Sequence, residues 1–132
     1  CNPLPGDDIM GFITRGYGVS IHKADCQNVR LGMQGENKDR WVKAHWAVNS
    51  SSAFRATIDI IAEDRTALIA DVTTAIASNH QPIHEINAHY LKNGNANIVI
   101  TIEVSGIDQL KSMILRLQKV PGVISAERTG KL

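Results

Sequence analysis

The 132 residues suffice for one ordinary domain or two small ones, and they exclude a large multidomain enzyme. With 43% hydrophobic and 20% charged residues, and 14 basic groups against 13 acidic, the chain is neither a disordered tail nor a strongly basic nucleic-acid binder. Splitting at residue 52 gives 6 basic and 5 acidic residues before it and 8 of each after it, so neither half is an electrostatic arm.

The chain starts at Cys1 rather than Met and its apolar runs are short, so neither a signal peptide nor a membrane span is readable. A cytoplasmic fragment of something longer is the expectation. Cys1 and Cys26 are too few for a disulfide framework, although one bridge is arithmetically allowed.

The polar run Asn49-Ser50-Ser51-Ser52 marks a boundary between a small module, 1–50, and a more strongly patterned one, 53–132. In the first, Ile9 to Thr14 and Val19 to Lys23 form a hairpin around Arg15-Gly16-Tyr17-Gly18, and Asp25 is placed to cap a short helix through Leu31. Trp41 to Val48 is a third strand, with Val42, Ala44, Trp46 and Val48 expected on its buried face. So thin a core often needs a metal, a staple or a neighbour.

In the second module, residues 53–62 alternate, with Phe54, Ala56, Ile58, Ile60 and Ala62 on one face. Asp64 is expected to cap a helix over 65–79 that buries Leu68, Ile69, Val72, Ala75 and Ile76. Two further alternating runs carry Ile86, Ala88 and Tyr90, then Ile98, Ile100, Ile102 and Val104, joined at Asn93-Gly94. A helix over 107–119 and a strand from Val123 to Arg128 complete a βαββαβ order. The fold class is therefore α+β, with a ferredoxin-like antiparallel sheet and both helices on one face. The other face, with Thr57, Ile61, Leu91, Val99 and Thr101, suits a partner, so association through that face or a sheet edge is expected.

Cys1, His22 and Cys26 are the constellation with metal-ligand chemistry: thiolates and imidazole suit zinc, and a His-x3-Cys spacing from a strand end into a helix start can aim both side chains at one point. Three ligands leave a tetrahedral site one short, to be completed by a preceding residue, by Asp25 or by water. A buried Cys26 beside an exposed His22, or a Cys1–Cys26 disulfide, are the alternatives. Pro5-Gly6-Asp7-Asp8 has the composition of a turn, with cation binding as its alternative. Arg15-Gly16-Tyr17-Gly18 sets a cation and an aromatic at a glycine-rich tip, which suits either a plain hairpin or RNA stacking. Given the near-neutral charge, any RNA contact is expected to be local, through Arg15, Tyr17, Lys23 and Lys43. The 63–67 loop leads into a helix N-terminus, suited to a small carboxylate or simply to a capped connection. His80, His84 and His89 do not form a catalytic set, and no nucleophile elbow, phosphate loop or HExxH helix is present, so no active site is expected.

The stretch Cys1 to Cys26, with its C-x-P-x-P-G-D-x-I-x-G start, its T-R-G-x-G-V tip and its H-x3-C end, closely resembles the zinc-finger-like RIS module of long RelA/SpoT-family stringent-response enzymes. The remainder from about residue 53, including Asp64-Arg65-Thr66-Ala67-Leu68-Ile69-Ala70-Asp71-Val72, resembles an ACT domain. The resemblance implies a non-catalytic regulatory fragment of a bifunctional (p)ppGpp synthetase/hydrolase, a GTP pyrophosphokinase whose catalytic domains lie upstream. It implies zinc held by Cys1, His22 and Cys26, with a further cysteine just before Cys1, and docking on the ribosome at 23S rRNA near the A site. It further implies a homodimer through the ACT domain that binds a branched-chain amino acid such as valine or isoleucine near Asp64, Arg65, Thr66, Ala67, Leu68 and Ile69. Such an effector would bias synthesis against hydrolysis. Ala67 departs from the glycine usual at its position, which lets ligand and backbone approach closely. A free-standing amino-acid-binding module is the alternative reading, and a thiol or metal hydrolase using Cys26 and His22 a third.

Overall fold

The computed structural model describes residues 1–47 and 53–129. The chain divides into two compact units, Cys1–Ser52 and Ala53–Gly130.

The first unit holds strands β1 (Ile9–Ile13), β2 (Val19–Lys23) and β3 (Trp41–Ala44), helix α1 (Gln27–Gly32) and a single 3-10 turn at Lys38–Arg40. The sheet is antiparallel in the order β2-β1-β3, with Phe12 opposite both Ser20 and Trp41. Glycines at left-handed φ, Gly16 at 89° and Gly18 at 84°, turn the β1–β2 tip. The Pro5-Gly6-Asp7-Asp8 segment is a turn: the Asp7 N–H donates to the Leu4 carbonyl at 2.8 Å and the Asp7 carboxylate accepts the Leu4 N–H at 2.7 Å. Leu4 is fully buried beneath it.

Two expectations for this unit change. Cys26, not Asp25, is the N-cap residue of α1, and Asp25 instead lies 3.7 Å from the Lys23 ammonium. The third strand is four residues long, and Val42, on its supposedly buried face, stays 37% exposed. Gly32 of α1 sits directly against the Trp41 indole, which also meets Phe12 and His22, so Trp41 is half-buried although Lys43 on the same side is exposed, while Ala44 and Trp46 on the expected face are half-buried. Val48 lies outside the described residues.

The second unit runs β4 (Phe54–Glu63), α2 (Leu68–Ala77), β5 (Ile83–Tyr90), β6 (Asn95–Val104), α3 (Ile107–Gln118) and β7 (Val123–Arg128). Its antiparallel sheet has the order β5-β6-β4-β7, the ferredoxin-like arrangement expected from the alternation. Ala56, Ile58, Ile60 and Ala62 pair with Ile102, Ile100, Ile98 and Ala96, and all eight are buried beneath Leu68, Val72 and Ile76 of α2 and Leu110, Met113 and Leu117 of α3. The opposite face mixes Ile61 and Val99 with cross-strand polar contacts. Thr57 and Thr101 hydroxyls meet at 2.9 Å, and the Asn97 amide donates to the Asp59 carboxylate and, at 3.2 Å, to the Ile60 carbonyl.

Strand β5 alternates in sequence but not in burial. Ile86 and Ala88 lie opposite the buried Ile100 and Ile98, yet every residue of β5 is exposed. It is an edge strand beyond the cover of the helices, and its outer backbone has no neighbour within the unit. Helix α2 also differs from expectation: it begins at Leu68 after Ala67, with no side-chain cap from Asp64. Ile69, expected inside, is 44% exposed.

Candidate functional site

The first unit gathers Cys1, His22 and Cys26. The strand β2 ends in a tight turn, with the Cys26 N–H bonded to the Lys23 carbonyl at 2.9 Å, and α1 starts immediately after it. That turn carries Cys26 back beside His22. The segment before β1 brings Cys1 to the same point, where its sulfur accepts the Lys23 N–H at 3.3 Å and lies 3.8 Å from His22 Nδ1. The three ligand atoms all fall within 4.8 Å of one another, and each residue is half-buried. A tetrahedral zinc with bonds of about 2.0–2.3 Å needs donors about 3.3–3.8 Å apart, so small side-chain rotations close the set. Burial holds the His22 imidazole below its ordinary pKa of 6.5 and favours the neutral, ligating form. Both cysteines are free thiols, and the donor set of two sulfurs and one imidazole fits zinc.

The RNA-contact candidates do not form one patch. Arg15 and Tyr17 stand at the hairpin tip, Tyr17 92% exposed. Lys23 is at the far end of β2, opposite Ile9, while Lys43 is opposite Met10 and so belongs to the other sheet face. Sequence reading missed Arg40, whose guanidinium lies 4.7 Å over the Phe12 ring and donates to the Ile13 carbonyl at 2.8 Å. Its placement depends on the 3-10 turn, which no spacing signals.

In the second unit, the β4–α2 loop and β5 enclose a groove of about 280 Å³. Asp64, Arg65, Ala67, Leu68 and Ile69 line it from the loop side, and Ala88, His89 and Tyr90 from the strand side; Thr66 is not among its lining residues. Ala67 itself adopts the left-handed conformation, φ 65° and ψ 12°, that a glycine would take without cost. Arg65 locks the loop: its guanidinium donates to the Pro121 carbonyl at 2.9 Å, to the Thr66 carbonyl at 2.9 Å and to the Asp71 carboxylate at 2.7 Å. Arg65 thus holds the loop that Asp64 was expected to cap. The groove opens beside the free edge of β5, where Tyr90 is 81% exposed. Among the described residues no helix is long and apolar enough to cross a membrane.

Residues 1–47 match the family model of the RelA/SpoT RIS domain, and residues 50–128 that of the ACT domain. The chain is 37% identical over 129 residues to a GTP pyrophosphokinase of Haemophilus influenzae and 34% to that of Escherichia coli. It is 35% identical over 130 residues to the bifunctional (p)ppGpp synthase/hydrolase RelA of Mycobacterium tuberculosis. Each alignment covers 97% of this chain but 17% of the relative, in its C-terminal region. The solution structure of the ACT domain from a Chlorobium tepidum GTP pyrophosphokinase superposes with a TM-score of 0.54 at 30% identity, covering 61% of this chain and 90% of that one.

Proposed function

Because the chain belongs to the RelA/SpoT family, joining a RIS domain to an ACT domain, we propose that it is the regulatory region of a (p)ppGpp synthetase/hydrolase, the catalytic domains being carried elsewhere in the full protein. The carrying observation is the groove between the left-handed Ala67 turn and the edge strand β5. At about 280 Å³ it falls just below the usual range of ligand pockets, about 300–1,000 Å³, which suits a ligand as small as an amino acid. Its helix N-terminus offers backbone N–H groups to a carboxylate, and Leu68, Ile69 and Ala88 offer an apolar wall. Valine or isoleucine has both halves of that chemistry. The open side lies at an unpaired strand edge, so a second copy adding its own β5 closes the groove, and ligand binding and dimerisation reinforce one another.

The first unit supplies docking. Zinc held by Cys1, His22 and Cys26, with a fourth donor, would crosslink the chain start, β2 and α1 in a unit whose own core is thin. The exposed tip bearing Arg15 and Tyr17 engages ribosomal RNA locally, by charge and by stacking. An effector that binds one arrangement of the full protein better than another shifts synthesis against hydrolysis.

Calorimetric titration of valine and isoleucine into the purified chain, with sedimentation in parallel, tests the effector reading. Saturable heat accompanied by growth of the dimer is expected. A flat titration with every branched-chain amino acid removes that reading. For docking, Arg15→Ala/Tyr17→Ala is expected to weaken cosedimentation with ribosomes, and unchanged binding removes the tip.

A further inference from the structure

We propose that Ser20 is the positioning residue of the metal centre, holding the Nε2 side of the His22 ring so that Nδ1 is the ligating nitrogen. The inference rests on the metal reading of Cys1, His22 and Cys26. Ser20 and His22 are two residues apart on β2, so both project from the same face, and the Ser20 hydroxyl lies 3.1 Å from His22 Nε2. The other nitrogen, Nδ1, faces the Cys1 sulfur at 3.8 Å. A neutral imidazole carries one N–H and one lone pair. With the hydroxyl accepting the Nε2–H, the lone pair sits on Nδ1, aimed at the cysteines. Turning the ring over to ligate through Nε2 would break the Ser20 contact.

The ring is also held from its edge. Trp41 meets it in an edge-on arrangement, with centroids 5.5 Å apart and planes at 64°. On the sulfur side, the Lys23 N–H donated to Cys1 stabilises a thiolate in the same way that Ser20 stabilises the tautomer. Both donor atoms are therefore oriented by groups of β2 that do not touch the metal. Outer partners of this kind typically contribute about 10–100-fold in metal affinity.

The test compares the purified chain with its Ser20→Ala and Ser20→Thr variants. Zn(II) and Co(II) affinities are measured by competition with a chromophoric chelator, and the imidazole nitrogens are followed by NMR. Ser20→Ala is expected to bind about 10–100-fold more weakly, with thiolate-to-cobalt absorption retained because both cysteines remain, and Ser20→Thr is expected to restore affinity. Metal-free protein should show His22 as the Nε2–H tautomer, and loaded protein should show metallated Nδ1. Tryptophan emission matching that of the parent chain verifies that the alanine variant is folded. Equal affinities, or metallated Nε2, overturn the proposal. Failure of the unsubstituted chain to bind either ion overturns the metal reading instead, and in that case the tautomer of the metal-free ring still decides whether Ser20 orients His22.

Discussion

Substituting Gly32 by Ala sets two backbone-level effects against each other. Gly32 ends α1 at an ordinary negative φ, so alanine is conformationally acceptable there and gains up to about 1 kcal/mol of helix propensity. Its new Cβ, however, would stand 2.5 Å from Trp41 Nε1 and 2.7 Å from Cε2 and Cζ2. Comfortable carbon contacts are about 3.5–4.0 Å, so an indole wedged against Phe12 and His22 must retreat by about 1 Å. Overpacking of this type costs about 1–3 kcal/mol, and the clash wins by about 1–2 kcal/mol. In a unit of about fifty residues the entropy of unfolding is about 0.1 kcal/mol/K, so the midpoint should fall by roughly 10–20 °C. Both tryptophans of the sequence, Trp41 and Trp46, lie in the first unit, so fluorescence follows its melting alone while far-UV dichroism is dominated by the second unit. Trp41 Nε1 is buried without a hydrogen-bond partner, so Trp41→Phe forfeits no such bond, and the double variant should recover part of the loss. An unchanged or raised fluorescence midpoint in Gly32→Ala would refute the packing of α1 on Trp41.

Three further outcomes are expected. Ala67→Gly removes a left-handed alanine costing about 1 kcal/mol but loosens the unfolded chain by about 0.4–1 kcal/mol, so stability should stay level or rise slightly; a loss above about 1 kcal/mol in chemical denaturation would contradict the assigned turn. Ile86→Lys, on the exposed edge strand, should leave the monomer within about 0.5 kcal/mol of its stability while abolishing the dimer in sedimentation, and a persistent dimer would place association elsewhere. The lowered His22 pKa means that, between its folded value and 6.5, the unfolded chain binds more protons than the folded one. Metal-free first unit should therefore lose stability as pH falls through about 6.5 and level off below the folded value, read by tryptophan fluorescence in denaturant; a rise on acidification would reverse the sign.

The βαββαβ order was legible because β4 and β6 bury every second residue and the helices bury residues at helical spacing, signals that depend on local chain geometry alone. Burial of β5 was not legible, since alternation there reflects a place in the sheet and not cover by a helix. Asp64 looked like a helix cap, but Arg65 reaches across to Pro121, 56 residues away, and fixes the loop instead. In the first unit the contact of Gly32 in α1 with the Trp41 indole was not legible, because the close approach of a helix to a strand leaves no mark in periodicity. His-x3-Cys signalled two of the three candidate metal donors. Cys1 joins them through tertiary closure, and the Ser20 contact depends on ring orientation, so spacing carried neither.

Amide NMR of the purified chain titrated with isoleucine tests directly whether the groove beside β5 is an effector site. Saturable shifts concentrated at Leu68–Ala70 and Ala88–Tyr90, absent from the tip around Arg15 and Tyr17, are expected. Shifts that are absent at saturating isoleucine, or that cluster in the first unit, would contradict that reading.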